Sequence, residues 1–597
     1  MSRVRLERNA APVERGNGRP VATHPLRNLR STLDLLAKLL AEKRRELPVV
    51  SLASLERDGI VSRSGPKEFR TNFGKTFSLR PLLWARPRNQ AELIRVVAFA
   101  YQQGLPVKPI GSLCTWSPAA RPEEKGVALL TDQLTGVEYP DWQVLKDSVA
   151  CPPVDHAPVV ENAELIQRHF LMRVSSGTVI WDLNDALDRR ELALKTMGAY
   201  GGERVGGAFS TGTHGSSVFF GPMSDSVRSV DLVWQGVAVR VEPASGPTDP
   251  ERFRKNPAHH NWLLVQQDDV FHAARLSYGM LGVALSYLID VGPRYHLEER
   301  REGIGLARAR REIRDVVRGA PGNVYTHALS AEYYFNLYST KQEPQAIRVE
   351  RRLIHPSVGL QTKRRTFDEF LFRGLRAIKI DPGRLSTALF KLVPRLVPAI
   401  LESGLAGLKG TFRSVFYRVY NMGAANLVGT LVQEIAVPAQ YIDAYLDDCH
   451  ALARRLFENH RKALTSPVGV RFIKPSSALL AIQQRTFVDE SGTRRPVALW
   501  AMVNFTLTIG TPNGRELMRA FHDIAEKYAG RSHPGKCYFD EPDQLRRSYD
   551  LDRFLAIRHV VDPEGLFLNA WNRRLLDIPN ASAVGPTDRS SVISQAA

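Results

Sequence analysis

The chain has 597 residues, 43% hydrophobic and 24% charged, with 81 Lys and Arg against 62 Asp and Glu for a formal charge of +19. That composition excludes a mainly disordered chain, and a length worth about three to four units of roughly 150 residues buries a large core without disulfides. The positive excess suits a phosphate-rich ligand, an anionic membrane surface or nucleic acid. It is spread along the chain with no zinc spacing or helix-turn-helix pattern, so no nucleic-acid partner is expected.

The four cysteines, Cys114, Cys151, Cys449 and Cys537, form no CxxC pair and read as reduced thiols of a cytoplasmic protein. No metal site is expected. The Arg-rich first 24 residues lack an apolar core and read as a disordered tail rather than a secretory signal. No run of 18 uncharged apolar residues occurs, so no membrane span is expected. The nearest approach, Leu385 to Leu408, is broken by Lys391, Arg395 and Glu402. It reads as one or two amphipathic helices that wall a pocket, touch a membrane peripherally or only complete a hydrophobic core.

Leu26 to Leu47 has helical periodicity, with Leu33, Leu35, Leu36, Leu39 and Leu40 near one face. From Arg70 the order is strand, helix, strand: Asn89 caps the helix, Glu92 lies in its first turn, and Gly104 stops it. A second such unit has a strand ending at Ser175-Ser176-Gly177 and a helix burying Ile180, Leu183 and Leu187. A hairpin then turns at Gln235-Gly236. From Tyr295 to Val428 the pattern is less regular and more helical. Strands resume around Thr430, Val468 and Val497, and a helix covers Asn513 to Ala529. The last 20 residues form a polar tail.

Gly198 to Gly215 reads "GAYGGERVGGAFSTGTHG", with seven glycines. Glycine lets the main chain approach a ligand closely, and successive amides in such turns form concave anion sites. A pyrophosphate is the natural guest. No GxxxxGK[ST] is present, and no GxGxxG sits between strand and helix, so a nucleotide would be held by another fold.

These segments resemble a known family. "RPRNQAELIRVVAFAYQQGLPVKPIGSLCTWSP" and "SSGTVIWDLNDALDRRELALKTMGAYGGERVGGAFSTGTHGSS" are similar to the two halves of the PCMH-type FAD-binding domain of the vanillyl-alcohol-oxidase superfamily. "SHPGK" and "YDLDRFLAIRHVVDPEGLFLNAWNRRLL" resemble the end of its aldonolactone-oxidase and alditol-oxidase branch. "YYFNLYSTKQEPQAIRV" resembles the cap of its sterol oxidases.

The resemblance implies an α+β fold: a two-subdomain FAD-binding domain plus a cap with an antiparallel sheet covered by helices. The implied division is a tail and helix over 1–69, the FAD-binding domain over 70–295 and the cap over 296–545. A segment over 546–577 would return to the FAD domain, ahead of a disordered tail over 578–597. It also implies FAD contacts at Ile110, Gly111, Ser112, Leu113, Cys114 and Thr115. Further contacts are implied at Gly198, Val205, Gly206, Gly207, Ser210, Thr211, Thr213, His214 and Gly215, and at Gly279, Gly282 and Val283.

Cys114 stands where many relatives carry a flavin-linking His. A non-covalent flavin is the favoured reading, with a cysteinyl link left open. The cap strand has Arg471, but Gly469 replaces the Glu of a Glu-x-Arg pair, which removes a polar anchor, opens space and argues against a polyol or sugar lactone. Asn504, His533 and Lys536 complete the candidate catalytic set. Arg471 suits charge developing on the flavin, and Lys536 or His533 would accept the hydroxyl proton.

The expected function is FAD-dependent oxidation of a CH–OH group by hydride transfer, with oxygen or another electron acceptor. The substrate would be a sugar lactone or polyol, or a bulkier apolar alcohol such as a sterol. The alternative is a flavin-binding protein with a degenerate site serving a partner or a membrane.

Overall fold

The computed structural model describes residues 25–149, 169–339, 341–342, 344–362, 388, 390–421 and 429–578. The expectations for residues 1–24 and 579–597, Cys151 and the start of the apolar stretch at Leu385 lie outside the described residues.

The first sheet holds β1 (Val61–Ser62), β2 (Leu83–Ala85), β3 (Val107–Ile110) and β4 (Val127–Leu130) in the order β1-β2-β4-β3. β4 runs parallel to β2 and β3, which requires the crossover helix Gln90–Gln102 between β2 and β3. The Asn89 side chain accepts the Glu92 amide and starts that helix. Gly104, at φ +61°, ends it in the left-handed region.

The second sheet holds β5 (Val137–Glu138), β6 (Phe170–Ser175), β7 (Leu192–Ala193), β8 (Val227–Trp234), β9 (Val237–Glu242), β10 (Trp262–Gln266) and β11 (Val283–Pro293). The main path is β10-β9-β8-β11-β6-β5, with β7 on β11. Gln235 and Gly236 make the β8–β9 turn at φ +54° and +87°, matching the twist of a two-residue hairpin.

The third sheet has eight antiparallel strands: β12 (His296–Gly305), β13 (Ser330–Phe335), β14 (Gln345–Ile354), β15 (Gly410–Val415), β16 (Thr430–Pro438), β17 (Val468–Ile473), β20 (Trp500–Thr508) and β21 (Arg531–Ser532). Its order is β15-β12-β14-β13-β17-β20-β16-β21, and the ribbon β18 (Thr486–Val488) and β19 (Arg494–Pro496) stands apart. Among the described residues no helix is long and apolar enough to cross a membrane.

Two sequence expectations need correction. The described part of 295–428 is more than helical: beside helices such as Leu306–Val317 and Val397–Gly407 it supplies β12 to β15. Its strands hide because their inward residues are charged. Arg351 donates to Glu299 (2.9 Å) and Glu332 (2.7 Å), and Arg301 donates to Glu299 (2.8 Å). All four are buried. In the helix Pro25–Arg45 the buried stripe is Leu29, Leu33, Leu36 and Leu40, while Leu35 and Leu39 face outward.

Candidate active site

A cavity of about 610 Å³ lies between the loop after β3, the short helix Val205–Ser210, the turn before β11 and one face of the third sheet. That volume falls within the usual range for a small-molecule site. Ile110, Gly111, Ser112, Leu113, Cys114 and Thr115 line it, with Gly198, Gly206, Gly207, Ser210, Thr211, Thr213, His214, Gly279 and Gly282. Arg471, Asn504, His533 and Lys536 line it too. Val205, Gly215 and Val283 do not: Val205 and Val283 are core residues, and Gly215 packs on Met197 and Thr196.

The cradle end is rich in donors. The amides of Ser112, Leu113, Cys114, Thr115 and Gly207 have no protein acceptor among the described residues. Leu113 sits at φ +54°, which turns the first loop back on itself. A Cβ on Gly207 would meet nothing within 4 Å, so its backbone faces the open cavity. Ser176 Oγ and Arg204 Nε are buried without a partner on residues that line the cavity. Unmet donors around glycine backbone fit the diphosphate of a flavin dinucleotide. Burial pushes the Cys114 thiol up, away from the thiolate.

The other end is a pleated sheet face. Register places Tyr334, Gly469, Asn504 and Glu434 side by side across β13, β17, β20 and β16. Arg471 ion-pairs with Glu434, whose second oxygen lies 3.2 Å from His214 Nε2. Burial would raise the Glu434 carboxyl, but Arg471 and then His214 outweigh it and hold the group well below its usual range. Thr430, Thr506, Thr508, Thr465 and Ser466 add hydroxyl-bearing residues to the lining.

Gly469 does not open space. A Cβ there would sit 3.1 Å from the Tyr334 ring, and the Tyr334 hydroxyl is fixed by donating to Glu332 at 2.7 Å. The role of His533 also changes. Its Nδ1 accepts the Gly535 amide at 2.9 Å, and burial lowers its pKa to about 3. The neutral ring then carries its proton on Nε2 and is a donor rather than a proton acceptor. Lys536 Nζ lies 4.4 Å from the centroid of the Trp116 ring, a cation–π contact.

Glu434, Glu203, Glu332, Tyr334 and Trp116 were not picked out from the sequence, though all line the cavity. Glu434 had a faint signal: an acid beside Gln433 in a strand that otherwise carries mostly apolar residues. Glu203 accepts the Thr213 hydroxyl at 2.9 Å, and burial pushes its carboxyl up. The helix Val397–Gly407 does wall the cavity, through Gly404 and the adjoining Leu408.

The family model for D-arabinono-1,4-lactone oxidase matches residues 332–575, and that for an FAD binding domain matches residues 159–240. L-gulono-1,4-lactone dehydrogenase of Mycobacterium tuberculosis is 25% identical over 497 residues, covering 83% of this chain and 96% of the relative. L-gulonolactone oxidase of Mus musculus is 24% identical, covering 84% and 96%. The crystal structure of cholesterol oxidase from B. sterolicum superposes with a TM-score of 0.63 at 13% identity, covering 89% of this chain and 100% of that one, a likeness of fold. The glycine-rich cradle, the antiparallel cap sheet and these matches support the vanillyl-alcohol-oxidase superfamily of FAD-binding proteins, and within it the aldonolactone-oxidase branch.

Proposed function

We propose that the protein is an FAD-dependent oxidoreductase that oxidises a CH–OH group of a small, polyhydroxylated substrate of the sugar-lactone or polyol type. The observation that carries this is the continuity of one cavity from a donor-rich glycine cradle to a sheet face bearing Arg471, Glu434, Asn504 and a row of threonines. A sterol would leave the buried Arg471 Nε–H unpaired, at a cost of about 1–3 kcal/mol. A polyhydroxylated substrate supplies its acceptor.

Bound FAD supplies the hydride acceptor. The backbone of Ser112 to Thr115 and Gly207 would hold its diphosphate. Arg471 binds developing negative charge, for which a part-buried guanidinium with a buried, unpartnered Nε–H is suited. The His533 Nε2–H and the Asn504 amide orient substrate oxygens. Lys536, beside Trp116, would accept the hydroxyl proton in its neutral amine form.

The test is anaerobic mixing of FAD-loaded protein with L-gulono-1,4-lactone, D-arabinono-1,4-lactone, a linear polyol and cholesterol, while following the visible flavin band. Bleaching by a lactone or polyol but not by the sterol is expected. Bleaching by cholesterol alone would reverse the substrate assignment, and bleaching by no alcohol would favour a flavin-binding protein without turnover.

A further inference from the structure

Arg471 is flanked by two carboxylates on opposite sides. Glu332 is its register partner on β13. Glu434 lies on β16, beyond β20. Glu332 is already engaged: it accepts from Arg351 at 2.7 Å and from the Tyr334 hydroxyl at 2.7 Å. Glu434 carries the ion pair to Arg471 with one oxygen. Its other oxygen meets His214 Nε2 at 3.2 Å, and His214 Nδ1 donates to the Gly215 carbonyl at 2.9 Å. The carboxylate thereby ties the cap sheet to the glycine-rich segment.

No counter-charge can come from Arg471's own strand two positions earlier, because the Tyr334 ring occupies the space beside Gly469. Glu434 is almost fully buried, at 1% exposure, so solvent screens the pair little. Arg471 Nε is buried with no protein partner, a donor left for a ligand.

We propose that Glu434 is the positioning residue for Arg471. From β16 it supplies the counter-charge that β17 cannot, and it holds the guanidinium toward the cavity and away from Glu332. Without it, Glu332 is the nearest remaining carboxylate, and Arg471 turns toward β13 and withdraws its positive charge from the cavity. This rests on the oxidoreductase reading above, since it assumes a flavin in that cavity.

The test needs no substrate. The midpoint potential of the FAD-loaded protein is compared among wild type, R471M, E434A, E434Q and E434A/R471M, after melting curves show each is folded. A cation beside a flavin favours the more negative reduced form, so R471M lowers the potential. A positioning Glu434 makes E434A and E434Q lower it too, and E434A/R471M shifts no further than R471M. E434Q keeps the side-chain shape and stands in if E434A does not fold.

A rise in potential in E434A or E434Q would mean that Glu434 acts only as a bare negative charge, and no shift would mean that it does not govern Arg471. Either overturns the proposal. So does an unchanged potential in R471M when the wild type is yellow and is reduced by an alcohol. A wild type that takes up no FAD at all would instead sink the oxidoreductase reading.

Discussion

At Gly207 an added side chain would extend into open cavity, whereas at Gly206 a Cβ would press to 3.1 Å against the Ser176 Cβ and carbonyl. Gly207→Val is therefore expected to leave the melting temperature of the apoprotein unchanged. It should weaken FAD binding at least about tenfold, roughly 1.4 kcal/mol, read by flavin titration. Equal loss of apoprotein stability in the Gly206 and Gly207 variants would count against a cofactor facing that backbone. Cys114 gives a second expectation at this scale. Burial holds its thiol protonated, and only the thiolate attacks a flavin ring. Acid precipitation of the holoprotein should leave the yellow colour in the supernatant. Colour retained in the pellet of wild type but lost from that of Cys114→Ser would establish a cysteinyl link instead. The glycines were legible because their spacing is a local property of the chain. The partners of Glu434 were not, because nothing near it in sequence points to Arg471 or His214.

At the scale of an element, the turn carrying His533 and Lys536 is braced from behind by Asp540, which accepts the Ser532 amide on both carboxylate oxygens at 3.2 Å. Burial raises this carboxyl from 3.8 to about 7. A raised carboxyl keeps its proton longer in the folded chain. Its stabilising contribution is full below about 3.8 and is lost as the pH rises toward 7. Asp540→Asn cannot ionise, so its melting temperature should gain on wild type between about pH 4 and pH 7. A constant difference across that window would show that Asp540 is not strained by burial. The helix Gln90–Gln102 was readable from its cap and its stop because both are local hydrogen-bonding signals. The strands β12 to β15 were not, because alternation of apolar and polar residues fails where buried charges pair across strands. Arg351 between Glu299 and Glu332 is the plainest case.

At the scale of the molecule, the cavity is closed by chain segments far apart in sequence, and its back wall depends on the C-terminal part. Lys108 in β3 donates to Asn572 Oδ1 at 2.7 Å, to the Phe567 carbonyl at 3.2 Å and to the Tyr278 carbonyl at 3.5 Å. The Val107 amide donates to the Leu566 carbonyl at 2.8 Å. Burial draws the Lys108 ammonium down to about 7. Asn572→Ala removes its strongest neutral acceptor without touching the cavity lining. It should lower FAD affinity by about tenfold, roughly one charge-assisted hydrogen bond. It should also speed hydrogen exchange over residues 562–576. Unchanged exchange and affinity would show that this contact does not support the cradle.

The strand–helix–strand order of the first sheet, the cap and stop of its crossover helix and the glycine-rich backbone suited to a dinucleotide could be read from the chain itself. Each depends on residues within a turn or two of one another. The partner of Arg471, the filling of the space beside Gly469, the donor role of His533 and the polar character of the substrate end came only with the folded structure. The first two depend on which strands of the eight-stranded sheet lie side by side, and in what register, and the other two on burial in the assembled cavity. Pairing between strands separated by tens of residues is set by global packing, which local composition does not encode.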